Sequence, residues 1–192
     1  MKKTALLIID MINPLQFQAG PLLLEGMCRI TPQIASLKRR ARAAGLPVIY
    51  INDNEGRWQS EKSHLIQRAQ DGAAWNLVQQ ILPDPEDFFI IKPRHSGFYA
   101  TPLQALLTEL GTRTLILTGV AGNICVLFTA NDAYMRGYQL FIPADCCASN
   151  VQEDNDFALK MMKNVLKADI RGQAQIDPAD LLSKKTGRNP VT

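Results

Sequence analysis

The sequence predicts an α/β fold in three layers: a mostly parallel, Rossmann-like sheet covered by helices on both faces. Three observations carry this expectation. Short apolar runs without two-residue alternation recur along the chain, as strands buried on both faces require. Segments with apolar residues at helical spacing separate them. The order strand, helix, strand, helix persists throughout, which calls for right-handed crossovers between parallel strands.

The first run, residues 4–9 (TALLII), stops at Asp10, so a carboxylate stands at the carboxyl end of a buried strand. Residues 13–21 (NPLQFQAGP) contain Pro14, Gly20 and Pro21 and read as a loop carrying Leu15 and Phe17 towards the crevice. Residues 29–44 set Ile30, Ile34, Leu37 and Ala41 on one helical face. Lys38, Arg39, Arg40 and Arg42 lie near the end where cations suit the macrodipole, and Gly45 caps it. A second strand, 46–51, delivers Asn52, Asp53 and Asn54 to the same edge as Asp10. The loop runs on through Gly56, Arg57 and Trp58, and residues 65–82 are broadly helical around Gly72. A third strand, 88–91, ends in Lys92, and a helix at 102–110 is closed by Gly111. The run 114–118 ends in Gly119; after a small-residue turn, Cys125 opens a helical segment. Residues 138–142 form a fifth strand, 153–166 a last helix and 168–170 a short edge strand.

With 192 residues the chain fits a single domain, placed at 1–182, that buries roughly 70% of the surface its unfolded form exposes. The net charge of +3 resides in a basic tail, 183–192; the remainder has 18 basic and 18 acidic residues. A neutral body lacks the concentrated positive surface that nucleic acid or an anionic membrane requires. Four cysteines without CxxC spacing and two distant histidines give no zinc pattern. The start, MKKTALLIIDM, has no small-residue cleavage site and reads as a strand, so a cytoplasmic protein with reduced thiols is expected. No GxGxxG or GxxxxGK[ST] follows a strand, which argues against dinucleotide or phosphate-cradling chemistry.

Asp10, Lys92 and Cys125 each follow a different buried strand, at the end where open α/β sheets place their ligands. Singly, each has a plain structural reading: a buried small thiol, or a solvated charge. Together they form a chemical set. A carboxylate can take a thiol proton, and a lysine can hold the resulting thiolate. A helix N-terminus lowers a thiol's pKa, so Cys125 is expected to react near neutral pH while Cys28, Cys146 and Cys147 do not.

In the settings LLIIDM, FFIIKPRHSGFYATPL and LILTGVAGNICVLFTANDAYMRGY, these residues resemble the isochorismatase-like cysteine hydrolase family, which includes nicotinamidases and carbamoyl-amide hydrolases. The likeness covers residues 4–170. It implies a six-stranded parallel sheet, an Asp10/Lys92/Cys125 triad, and a cis peptide between Val120 and Ala121. It also implies an oxyanion hole built from the N–H groups of Ala121 and Cys125, and a homodimer or larger homo-oligomer. The implied reaction is hydrolysis of a small amide or carbamoyl compound through a cysteine thioester. Two departures narrow it. Family nicotinamidases carry a metal-binding Asp and His pair after the second strand, whereas Asp53 is followed here by Asn54 and Glu55. Neither a metal nor another cofactor is therefore expected. Isochorismatases proper lack the catalytic cysteine, so Cys125 argues against isochorismate as substrate. Phe17, Trp58 and Phe98 are candidates to wall the pocket, and Asn54 to hydrogen-bond a substrate amide. Two alternatives stay open: a catalytically silent binding or scaffold protein of the same fold, and a nicotinamidase with an atypical metal site.

Overall fold

Side-by-side pairing of the apolar runs builds the sheet. The computed structural model describes residues 3–178; the expected domain end at 182 and the basic tail 183–192 lie outside them. The strands are β1 (Lys3–Ile9), β2 (Val48–Asp53), β3 (Phe88–Lys92), β4 (Thr112–Val120), β5 (Gln139–Phe141) and β6 (Cys147–Ala148). Their order is β3-β2-β1-β4-β5, with β6 also paired to β4, and every pairing is parallel. The six-stranded parallel sheet expected from the sequence is present.

The missing alternation has a direct cause. Leu6 and Ile8 of β1 enter one apolar core with Tyr50 and Ile116, while Ala5, Leu7 and Ile9 enter a second with Ile49, Ile51 and Leu117. Both faces are covered, so neither needs polar residues. The helices are α1 (Gly20–Ala43), α2 (Lys62–Gln70), α3 (Trp75–Val78), α4 (Leu103–Glu109), α5 (Leu127–Met135) and α6 (Gln152–Asn164). Among them none is long and apolar enough to cross a membrane.

Four details differ from the sequence expectation. Helix α1 starts at Gly20 rather than at 29, because Pro21 sits in the first turn, where its missing N–H has no partner to lose. The cations near its end do more than meet a dipole: Lys38 pairs with Asp84 and Asp87, and Arg42 with Asp84, Glu86 and Asp87. The helical stretch 65–82 is broken at Gly72, which packs so closely on the backbone of Pro14 that a Cβ there would collide with it. Finally, the edge strand expected at 168–170 is reduced to one bridge between Asp169 and Phe141, while β6 stands where two residues gave no period to read.

Register positions the chemistry. Ile9 lies opposite Ile51 and Gly119, and Asp53 opposite Lys92, so the strands end level and their following residues emerge together.

Candidate active site

Asp10, the first residue past β1, adopts a left-handed backbone (φ 52°) that turns its carboxylate along the sheet edge. Its own N–H donates to Ile51 O at 2.8 Å, and its Oδ1 accepts the N–H of Asp53 at 2.7 Å. Asn52 secures the same corner: its Oδ1 accepts from Ile12 N–H, and its Nδ2 donates to Ile12 O. Lys92, fully buried, places Nζ 2.8 Å from Asp10 Oδ2, 3.4 Å from Cys125 Sγ and 3.5 Å from Asp53 Oδ2. Three strand ends thus converge on one ammonium.

Cys125 does not open α5. It lies in a π-helical turn, Gly122–Val126, that precedes that helix, with a cis peptide between Val120 and Ala121. The turn is pinned from α6. Ser149 Oγ accepts the Asn123 N–H at 3.0 Å and donates to Asn155 Oδ1 at 3.1 Å, while Asn155 Nδ2 donates to Cys147 O. Gly122 is required there, because a Cβ would collide with Asn155 Oδ1.

The electrostatics correct one expectation. Burial, and then the Asp10 carboxylate, push the Cys125 thiol up to about 12, and Lys92 offsets only part of this. At neutral pH the thiol keeps its proton. Burial also raises Asp10 above the ordinary carboxylate value, against the pull of Lys92 and of the thiol hydrogen bond. For Lys92 burial acts downward, but the charges of Asp10, Cys125 and Asp53 outweigh it and bring the ammonium to about 12. The resting site therefore holds a neutral thiol beside the Lys92 ammonium, with Asp10 a carboxyl whose proton affinity burial raises. Cys146 and Cys147 are buried and pushed upward chiefly by burial, whereas Cys28 is exposed.

A cavity of about 520 Å³ opens over this set. Phe17, Leu23, Val120, Ala121 and Ile124 give it apolar wall; Asn13, Gln16, Asn150, Glu55, Arg57 and Arg68 give it polar wall. Of the four residues singled out for substrate contact, only Phe17 lines it. Phe98 is buried in the core, tilted against Tyr138 and beneath the Arg136 guanidinium. Asn54 is buried with its Oδ1 accepting the Gly56 N–H, a turn cap rather than an open amide. Trp58 is 82% exposed and stands off the cavity, its loop continuing outward past the turn. Sequence reasoning missed Asn150 because β6, which delivers it, left no periodic signal. Asp53, which the sequence delivers to the same edge as Asp10, reaches Lys92 Nζ at 3.5 Å but has no place in the expected triad.

The donor set does not suit a metal of the nicotinamidase kind. Asp53 faces the Lys92 ammonium, and His64 sits on α2 with Nδ1 3.3 Å from Gln59 O and Nε2 3.7 Å from Glu61. Among the described residues no three His, Cys, Asp or Glu side chains are grouped to hold an ion.

Comparison with known proteins gives the family. The isochorismatase domain model matches residues 4–173. The chain belongs to the isochorismatase family. It is 52% identical over 172 residues to the isochorismatase family protein YaaI of Bacillus subtilis (strain 168), covering 90% of this chain and 95% of that one. It is 32% identical over 169 residues to the ureidoacrylate amidohydrolase RutB of Methylorubrum extorquens, covering 74% of this chain and 68% of that one. The crystal structure of N-carbamoylsarcosine amidase from Thermoplasma acidophilum superposes with a TM-score of 0.72 at 25% identity, over 91% of this chain and 99% of that one. This isochorismatase-family chain is thus a hydrolase among relatives that include amidohydrolases.

Proposed function

We propose that this isochorismatase-family chain is a metal-independent cysteine hydrolase that cleaves a small amide or carbamoyl group through a Cys125 thioester. One observation carries the reading: a single buried ammonium, Lys92, lies within hydrogen-bonding reach of both the Asp10 carboxylate and the Cys125 sulfur at the base of a cavity. Because the thiol is neutral at rest, the first step is proton transfer. Asp10 takes the Cys125 proton as the sulfur attacks the carbonyl carbon, and Lys92, still cationic, balances the thiolate. The carbonyl π pair moves to oxygen, where the N–H groups of Ala121 and Cys125 serve as donors worth about 3 kcal/mol each. The C–N bond then breaks, Asp10 returns its proton to the leaving nitrogen, and an acyl or carbamoyl thioester remains. Water attacks that thioester, Asp10 takes a proton from it, and as the C–S bond breaks Asp10 passes that proton to the departing Cys125 sulfur, which restores the neutral thiol.

The names of RutB and of N-carbamoylsarcosine amidase, each an enzyme acting on a carbamoyl-type nitrogen, support this substrate class. A nicotinamidase with an atypical metal is disfavoured because no imidazole stands beside Asp53. The test is ammonia release from a panel of amides, ureas and carbamates, with nicotinamide and isochorismate as expected negatives. Cys125→Ala should lower turnover by on the order of 10⁴-fold or more while circular dichroism and the melting temperature hold. Treatment with EDTA should leave wild-type activity intact. Near-normal turnover without the thiol ends the thioester reading; activity lost to EDTA and restored by zinc, manganese or iron ends the metal-independent one.

A further inference from the structure

Lys92 ends an edge strand. β3 pairs with β2 alone, so the backbone that carries the ammonium has a strand neighbour on one side only. A second restraint comes from the segment that follows, residues 95–101, which is fastened to α5, the helix whose preceding turn holds Cys125. Thr129 of α5 is fully buried, and its Oγ1 accepts the Gly97 N–H at 2.9 Å. Ser96 Oγ donates to Asp132 Oδ2 and accepts the Phe98 N–H at 3.1 Å. Arg136, just past the helix, donates to Asp132 Oδ1 at 2.7 Å and lies over the Phe98 ring. Gly97 has no room to drift. A Cβ there would stand 3.0 Å from Ile51 Cδ1 and 3.4 Å from Thr129 Cγ2, so its backbone is wedged between α5 and the strand whose Ile51 O takes the Asp10 N–H.

These contacts close a ring through the site. It runs from Lys92 Nζ to Cys125 Sγ at 3.4 Å, four residues on to Thr129, across to Gly97 and five residues back to Lys92. One end of α5 thus holds the nucleophile while its side grips the chain leaving the lysine. We propose that Thr129 is a positioning residue, backed by the Ser96–Asp132 contact: through Gly97 it sets the separation of the Lys92 ammonium from the Cys125 sulfur. Thr129 has no exposed surface and touches no substrate; it acts only through the segment it holds. Misplacing a reacting group by about 1 Å from a remote substitution can cost on the order of 100-fold in rate, so a single hydrogen bond in such a ring bears on turnover.

Thr129→Val keeps the branched shape and removes the acceptor, leaving the buried Gly97 N–H unpaired. Thr129→Ser restores the hydroxyl. Tyr50→Phe, which removes a buried hydrogen bond to Ile81 O in the core on the other face of the sheet, controls for lost stability alone. Ammonia release is measured alongside the rate at which iodoacetamide alkylates Cys125 at about pH 9, read by peptide mass in a Cys28→Ser background because Cys28 is exposed. Expected for Thr129→Val is a loss of about tenfold or more in kcat with KM within about twofold of wild type. Its alkylation should slow by about threefold or more, since an ammonium held farther away supports less thiolate. Thr129→Ser should recover both rates, and Tyr50→Phe should change neither. If Thr129→Val does not fold, Ser96→Ala, which frees the link to Asp132, carries the same expectation. Wild-type kcat and alkylation in the folded variant, or equal losses in Tyr50→Phe, show a merely structural bond and overturn the proposal. Only the kinetic arm rests on the cysteine-hydrolase reading: if no compound releases ammonia, that reading falls, while the alkylation rates still decide the role of Thr129.

Discussion

At the scale of residues, the site combines a base made stronger by burial with a nucleophile made weaker by it. Lys92 reconciles them, because its ammonium reaches Asp10 at 2.8 Å and Cys125 at 3.4 Å and so meets the negative charge on either one. This arrangement fixes the sign of a pH profile. In the proposed mechanism Asp10 acts only as a carboxylate, and burial raises its folded pKa above 3.8. The rate should fall as pH drops through that raised value. Because burial pushes the thiol up to about 12, and the proposed step passes its proton to Asp10 instead of to solvent, no rise is expected on the alkaline side up to about pH 10. Ammonia release measured from pH 4 upwards checks this; a rate that climbs with thiol ionisation alone would mean that solvent, not Asp10, removes the proton. Substitutions at Lys92 or Asp10 are poorer probes than Cys125→Ala, since breaking a buried ion pair costs about 3–5 kcal/mol in its own right.

At the scale of elements, Cys125 is held by the turn between β4 and α5, and that turn leans on α6 through Asn155 and Ser149. Gly122→Ala drives a methyl into Asn155 Oδ1, whose position is set by two hydrogen bonds and cannot yield freely. The variant should lose about 1–3 kcal/mol of stability by denaturant unfolding, and its kcat should fall more than its KM changes. Unaltered kcat would show that the pin does not aim the thiol. The same elements show what the sequence could and could not reveal. Asp10 and Lys92 stood out in the sequence because each closes a run whose burial on both faces is written as unbroken hydrophobicity, and Cys125 because it follows the turn after another such run. The π-helical turn was not, since it differs from an α-helix start by hydrogen-bond register and not by composition. Nor could periodicity separate Phe98, packed on Tyr138, from an aromatic facing a ligand: both are apolar residues after a strand. Arg57 and Arg68 sat in stretches that read simply as loop and helix, and only their place on the cavity wall distinguishes them from solvated charge.

At the scale of the whole molecule, one face is unlike the rest. Helices α5 and α6 expose Phe128, Met135, Phe157, Met161 and Val165, and a shallow groove of about 200 Å³ runs between Leu127, Phe128, Met161 and Val165. Scattered exposed apolar residues are ordinary, but Phe128, Met161 and Val165 meet at one groove, the pattern of an interaction surface. We propose that it is the self-association face of the homodimer or larger assembly expected from the sequence. A two-fold contact would place α5 and α6 of one protomer against the same helices of its partner, each strip covering the other. The strip lies just beyond the Cys125 turn, which leans on both helices, so assembly and thiol placement would share a support. Light scattering on the size-exclusion peak at micromolar concentration should give at least twice the 21.3 kDa chain mass. Phe128→Glu combined with Phe157→Glu should return the chain to monomer, because burying two like charges across a two-fold axis is strongly unfavourable. A monomeric wild type overturns the assembly itself; a double variant that still dimerises moves the interface to another face and frees the Cys125 turn from it.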